Sequence, residues 1–202
     1  MNKMKNIAIV GLGQIGIYLY NELNYKKKEI ELKTGKKINI VAISAKNRNK
    51  KRAFKINKKI FYDNPLRIFK EKKIDILFEC IGQSDGISKK IVEYALKKKI
   101  HVITPNKALI AKHGDLLAKI AEKNKVNLEF EASVGGGIPI LKTIKEGLAT
   151  NKIKKVYGIL NGTTNYILTE MENSNEDLSR VLKKAQQLGY AEPGNPKLDL
   201  NG

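Results

Sequence analysis

Short apolar runs alternate with helix-like stretches over the first two thirds of the chain. The runs have the length and β-branched content of buried strands, and the stretches between them carry apolar residues at helical spacing. Strands are predicted at residues 7–10, 38–44, 74–80, 100–104 and 126–131, and helices from the glycine loop to about residue 30, at 87–99 and at 109–123. Because this alternation forms parallel βαβ units, the pattern predicts an α/β fold with a Rossmann-type parallel sheet.

After Ser133 the rhythm changes to helices around one strand. Helices are predicted at 139–149, 163–171 and 176–188, and a strand at 153–161. Ser174 or Asn175 is the predicted N-cap of the last helix, which ends at Gly189. Residues 45–73 are polar and mixed, with a break at Asn64-Pro65, and carry no predicted element. We predict a Rossmann domain at 1–132 and part of a second, α+β domain at 133–202.

The charge of +19 raises the question of a nucleic-acid partner. Of the 39 basic residues, 35 are Lys and four are Arg, and they are spread along the chain without interleaved aromatic residues. This pattern is typical of a solvated surface and lacks the stacking groups of a single-strand binding groove. We expect no nucleic-acid partner, and a polyanion site remains the alternative.

Other bulk features bear on location. The chain has no apolar run of about 18 residues and no signal-peptide pattern, so we expect no membrane partner. Cys80 is the single cysteine, which excludes an internal disulfide and fits a reducing, cytoplasmic location.

The motif GLGQIG at residues 11–16 directly follows the first predicted strand and opens a helix. In that context Gly11 allows a tight turn, Gly13 lets the backbone approach a pyrophosphate, and Gly16 lets helix and strand pack closely. A structural turn without a nucleotide is the alternative. The predicted cofactor-binding residues here are Gly11, Leu12, Gly13, Gln14, Ile15 and Gly16, with Gly82 in the turn after the third strand.

The end of the second strand indicates the choice of cofactor. It continues as Ala45-Lys46-Asn47-Arg48, without the carboxylate that would bind a ribose hydroxyl of NAD. Lys46 and Arg48 are suited to pairing with a 2′-phosphate. We predict a preference for NADP(H) over NAD(H), the alternative being that both are ordinary surface charge.

The loop Thr104-Pro105-Asn106-Lys107 follows the fourth predicted strand. Ligands of open α/β sheets bind outside the carboxyl ends of the strands, so Lys107 is expected where cofactor and substrate meet. An ammonium group there can bind a carbonyl oxygen, stabilise an alkoxide or pass a proton. Cys80 offers a different chemistry, that of a semialdehyde dehydrogenase with a thiohemiacetal, but a buried structural cysteine is the favoured interpretation.

Several segments in order carry a family resemblance: HVITPNKALIAKHGDLLAKIAE, FEASVGGGIPILKTIKEGLATN, GILNGTTNYILTEM and AQQLGYAE. Through them the chain resembles the homoserine dehydrogenases from about residue 5 to residue 202. The resemblance implies reversible hydride transfer between NAD(P)H and L-aspartate 4-semialdehyde, giving L-homoserine, in the biosynthesis of threonine, methionine and isoleucine. It also implies that the second domain binds substrate and forms a homodimer at full length.

The same resemblance assigns roles to individual residues. Lys107 matches the catalytic lysine near the nicotinamide, and Gly189 a backbone contact near the cofactor. Glu192 and Asp199 match residues that bind the substrate. A monovalent-cation site for Na or K, formed mainly by main-chain carbonyls, is implied at Glu131, Val134, Gly136 and Ile138.

The chain also departs from the family pattern. Pro105 stands where the family usually has Ala, and the segment between Glu192 and Asp199 is one residue longer. In the family a second aspartate and a catalytic lysine follow the segment that matches residues 199–202. We therefore expect the chain to be the amino-terminal part of a longer enzyme, and a catalytically incomplete NADP-binding fragment is the alternative.

Overall fold

Six parallel strands form one sheet in this computed structural model, which describes residues 4–50, 52, 57–158 and 161–191. The strands are β1 (Lys5–Val10), β2 (Ile38–Ser44), β3 (Phe61–Tyr62), β4 (Ile76–Glu79), β5 (His101–Ile103) and β6 (Leu128–Glu129). Their order is β3-β2-β1-β4-β5-β6, and every pair is parallel. This is the Rossmann strand order, so the predicted fold class is confirmed.

Helices connect these strands: α1 (Gln14–Tyr25), α2 (Lys27–Thr34), α3 (Pro65–Glu71), α4 (Ile87–Lys97) and α5 (Lys107–Asn124). Side chains of β1 alternate between two apolar clusters. Ile7 and Ile9 pack in one cluster with residues of α1, while Ala8 and Val10 pack in the other with residues of α4 and α5. The sheet is therefore apolar on both faces, as expected for a parallel sheet between helical layers.

The chain divides into two compact units, residues 1–147 and 148–202. The first also contains α6 (Ile140–Lys142), which continues as a π-helical turn over Thr143–Gly147. The second contains α7 (Gly162–Ser174) and α8 (Leu178–Gln187), which pack through Ile167, Val181 and Ala185. The domain division at 132/133 stays a prediction. Within the described residues, every helix is too short or too polar to cross a membrane.

The predicted strand at 153–161 was wrong over its described part. Residues 153–158 have no regular structure, and Val156 and Tyr157 are exposed. A strand needs a neighbour to accept and donate its backbone hydrogen bonds, and among the described residues none pairs with this segment. Apolar alternation alone does not supply that neighbour.

Several predicted helix boundaries were also wrong. The first helix ends at Tyr25, and a second helix, α2, follows and ends at Thr34, with Gly35 as its C-cap at a φ of 66°. The N-cap of α8 is Asp177, whose carboxylate accepts the Arg180 N–H at 2.9 Å. Asn175 instead ends α7 in a left-handed conformation. The predicted helix 139–149 is α-helical only at 140–142 and ends with its π-helical turn at Gly147.

The segment 45–73 contains structure that the polar pattern did not predict. Asn64 and Pro65 start α3: the Asn64 side chain accepts the Leu66 N–H at 3.0 Å, and Pro65 occupies the first helical position. The break predicted at Asn64-Pro65 is thus a helix start, since proline there loses no helical hydrogen bond. β3 precedes it and pairs with the end of β2.

Candidate functional site

A cleft of about 470 Å³ opens at the carboxyl ends of β1, β2 and β4. It lies where the strand order reverses, between β1 and β4, which is where open α/β sheets bind ligands. The residues that line it include Gly11, Gly13, Lys46, Asp63, Cys80 and Gln83. Of the predicted cofactor residues, Gly11, Gly13 and Lys46 thus line one cleft, and Gly82 lies in the loop between two lining residues, Ile81 and Gln83.

The glycine loop has the geometry that a dinucleotide requires. Gly11 has a φ of 96°, and a Cβ there would collide with the backbone carbonyl of Cys80. A Cβ on Gly16 would collide with the Gly11 carbonyl oxygen, so α1 packs directly on the loop. Gly13, the N-cap of α1, has no heavy atom within 4 Å of a built Cβ. The open space at the helix N-terminus fits an anionic pyrophosphate.

Residues of opposite charge line the cleft near the ends of β2 and β3. Lys46 follows β2, and Asp63 follows the neighbouring β3, which pairs with β2 through Ser44 and Tyr62. Sequence reasoning missed Asp63 because β3 was not predicted. The sequence feature that could have pointed to Asp63 is its position directly after two aromatic residues, 61 and 62, which form the short strand.

Arg48 lies against other partners. Its guanidinium donates to the Lys58 carbonyl at 3.2 Å and stands 5.2 Å from the centre of the Phe61 ring. These contacts hold the side chain against β3 and the residues that lead into it. Among the predicted phosphate ligands, Lys46 therefore lines the cleft, whereas Arg48 packs on Phe61.

Lys107 is the first residue of α5 and is exposed. Asn106 is the N-cap of that helix, and its side-chain oxygen accepts the Leu109 N–H at 3.1 Å. Thr104 and Asn106 are buried, so the loop is anchored on both sides of Pro105. The ammonium group is thus attached to a capped helix at the carboxyl edge of the sheet, as the loop position predicts.

Cys80 lines the cleft, but its environment suppresses thiolate chemistry. Burial, with a smaller effect of the neighbouring Glu79 charge, raises the pKa of the Cys80 thiol to about 12. The thiolate is the reactive form of cysteine, so this thiol is a poor nucleophile near neutral pH. Cys80 is half-buried, and its raised thiol pKa speaks against the thiohemiacetal alternative.

The two histidines have structural contacts. His101 Nδ1 accepts the Asn127 N–H at 3.1 Å, which joins β5 to the start of β6. His113 and Lys112 bind the Asp85 carboxylate at 2.9 and 2.7 Å. The hydrogen bond from Lys112, and then that from His113, hold the pKa of Asp85 well below its usual range.

The segment predicted to bind a cation is a tight turn. The Glu131 carboxylate accepts the N–H groups of Leu141 and Lys142, both at 2.8 Å, so it caps α6. The Glu131 carbonyl accepts the Val134 N–H at 3.1 Å, and Gly136 has a φ of 60°. In the described ranges no cluster of three His, Cys, Asp or Glu side chains is placed to hold a metal. A site of main-chain carbonyls at Glu131, Val134, Gly136 and Ile138 stays a prediction.

In the second unit, Gly189 lies in the turn that ends α8, with a φ of 79°. The chain then folds back, and the Tyr190 N–H donates to the Ala185 carbonyl at 2.8 Å. Thr163, from the conspicuous Asn-Gly-Thr-Thr stretch, donates its hydroxyl to the Tyr190 carbonyl at 2.5 Å. This turn joins the start of α7 to the segment that leads toward the predicted substrate residues. Glu192 and Asp199 lie outside the described residues.

Comparison with known proteins matches the chain along its length. The family model described as "Homoserine dehydrogenase, NAD binding domain" matches residues 11–131, and the model "Homoserine dehydrogenase" matches residues 139–202. A homoserine dehydrogenase from Neisseria gonorrhoeae is 39% identical over 200 residues, which cover 99% of this chain and 45% of the relative. A homoserine dehydrogenase from Bacillus subtilis is 36% identical over 200 residues, which cover 99% of this chain and 46% of the relative.

Solved structures agree. The crystal structure of a homoserine dehydrogenase from Thiobacillus denitrificans superposes with a TM-score of 0.86 at 36% identity, covering 98% of this chain and 46% of that one. The chain therefore spans somewhat less than half the length of these relatives. With its Rossmann strand order, its glycine loop and a matching family model over residues 11–131, the chain belongs to the homoserine dehydrogenase family.

Proposed function

We propose that the protein that carries this chain oxidises L-homoserine to L-aspartate 4-semialdehyde, reversibly, with NADP(H), in the biosynthesis of threonine, methionine and isoleucine. The observation that carries the proposal is the position of Lys107. This lysine begins a capped helix at the carboxyl edge of a Rossmann sheet, in a chain of this family. A nicotinamide cofactor supplies or accepts the hydride when it is bound.

The residues of the chain bind the cofactor and the substrate and transfer the proton. The N–H groups at the start of α1 and the open space above Gly13 hold the pyrophosphate. In the reduction, the Lys107 ammonium binds the C4 oxygen, stabilises the charge that develops there as hydride is added, and donates a proton to form the alcohol; in the oxidation the neutral amine takes that proton back. The negatively charged carboxylates of Glu192 and Asp199 hold the positively charged ammonium group of the substrate.

The proposed preference for NADP(H) is supported by Lys46, because it lines the cleft where Ala45 leaves no acid at the end of β2. Asp63 lines the same cleft and opposes this preference, since a carboxylate repels a phosphate.

Two further features belong to the proposed function. A monovalent cation binds at the turn over residues 131–138, and the full-length protein forms a homodimer.

The test is the rate of NADPH formation from L-homoserine by the full-length protein and by its Lys107→Ala variant. Loss of the ammonium group is expected to lower kcat by about 100-fold or more, the usual size of a positioned acid–base group, with a smaller change in KM. Lys119→Ala removes an exposed lysine from the same helix and is the matched control, expected to keep wild-type kcat. Wild-type turnover in Lys107→Ala contradicts the proposed role, and NADPH binding without any homoserine oxidation favours a cofactor-binding protein.

A further inference from the structure

Glu79 is a completely buried carboxylate beside the cofactor cleft. It is the last residue of β4, opposite Val10 at the point where the strand order reverses, and it has no solvent exposure. A buried charge is costly unless hydrogen bonds compensate it fully. The neighbours of this side chain therefore show what it does.

Donors surround both oxygens of Glu79. Oε1 accepts the Ile81 N–H at 2.8 Å and the Ser88 hydroxyl at 2.6 Å. Oε2 accepts the Thr104 hydroxyl at 2.6 Å, and the Asn106 amide nitrogen lies 3.3 Å away. Ile81, Ser88 and Thr104 all donate to Glu79, so both oxygens of the carboxylate act as acceptors.

The partners come from three different segments of the fold. Ile81 belongs to the loop after β4 and lines the cleft, and Ser88 lies in the first turn of α4. Thr104 starts the loop that carries Lys107, and its hydroxyl also accepts the Asn106 N–H at 3.0 Å. The carboxylate thus joins the cleft wall to the Lys107 loop.

Asn106 extends this connection to the helix itself. Its amide nitrogen donates to the Gln83 carbonyl at 2.9 Å and to the Ser88 hydroxyl at 3.1 Å, while its oxygen caps α5. The first turn of α5, where Lys107 lies, is therefore fixed to the same hydrogen-bond network. No oxygen of Glu79 is left to contact a ligand, which excludes a direct role in proton transfer.

We propose that Glu79 is a positioning residue: through Thr104 and Asn106 it holds the start of α5, and with it Lys107, in register with the cofactor cleft. The proposal rests on the proposed function, in which Lys107 acts on the substrate oxygen. Because small displacements of a catalytic group reduce the rate of chemistry more than binding, the effect is expected in kcat.

The first test is Glu79→Gln in the full-length protein, with homoserine-dependent NADPH formation as the readout. We expect kcat to fall by about 10- to 100-fold while KM changes by less than about threefold. Asp75→Asn is the matched control, because it makes the same chemical change just before β4, where the Asp75 side chain accepts the Asn6 N–H at 2.8 Å. This variant is expected to keep wild-type kcat.

A second pair of variants tests the connection if Glu79→Gln does not fold. Thr104→Val removes the hydroxyl donor while keeping the shape of the side chain, and it is expected to lower kcat. Thr104→Ser keeps the hydroxyl donor and is expected to have a kcat close to that of the wild type. A lowered melting temperature with wild-type kcat in Thr104→Val, and in Glu79→Gln where it folds, means a purely structural role and overturns the proposal.

Lys107→Ala, measured in parallel, separates the two proposals. Failure of the wild-type protein to oxidise homoserine rejects the proposed function, and full activity of Lys107→Ala in an active protein rejects the proposed role of Lys107. Either result rejects the positioning role as well. An active wild type, an impaired Lys107→Ala and an unimpaired Glu79→Gln reject the positioning role alone.

Discussion

Single residues of the cleft differ in how far local sequence predicts them. The roles of Gly11, Gly13 and Gly16 were predicted from their spacing between a strand and a helix, because a turn, a close approach and a close packing are local demands on the backbone. Glu79 and Asp63 were not assigned any role. The side-chain partners of Glu79 are 9 to 27 residues away, and Asp63 follows a strand that the sequence did not predict, so only the assembled sheet reveals these two residues.

The balance of Lys46 and Asp63 leads to a prediction at this scale. Lys46→Ala is expected to weaken NADPH binding by about fivefold, the size expected for one exposed charge-assisted contact, and to leave NADH binding unchanged. Fluorescence titration of both cofactors measures it, with Lys50→Ala as a control in the same loop. Equal affinity of the wild-type protein for NADH and NADPH would contradict the proposed preference.

Elements were predicted well where burial determines them and poorly where it does not. The strand at 38–44 was placed at its observed bounds, because its apolar residues lie between two helical layers. The segment 153–158 has similar apolar content but no neighbouring strand among the described residues, and it is irregular. Helix α3 was missed because its start signal, Asn64-Pro65, was interpreted as a break.

That start signal can be tested by its contribution to stability. Asn64→Ala removes the acceptor for the Leu66 N–H and is expected to lower the free energy of unfolding by about 1 kcal/mol. Asn64→Asp keeps an acceptor at the N-cap and is expected to retain most of the stability. Urea denaturation followed by circular dichroism measures the three proteins, and identical midpoints would show that the cap does not stabilise α3.

At the scale of the whole molecule, alternating strands and helices predicted five strands of the parallel sheet and missed the edge strand β3. The strand order then brings the glycine loop, the loop after β4 and the Lys107 loop to one edge. Chemistry that is scattered over about a hundred residues of sequence is thereby collected around one cleft and one helix start. The residues proposed to bind substrate, Glu192 and Asp199, lie outside the described part, so this organisation concerns the cofactor side of the site.

The central claim, that the cleft at the β1–β4 switch point binds the dinucleotide, is tested most directly by Gly13→Val. The backbone of Gly13 is extended and a Cβ meets no protein atom, so the variant is expected to fold normally. Gly114→Ala, in the middle of α5, is the control. The account predicts that Gly13→Val weakens NADPH binding by about tenfold or more, because the side chain fills the pyrophosphate space, while Gly114→Ala binds as the wild type does. A folded Gly13→Val protein with wild-type affinity for NADPH would contradict it.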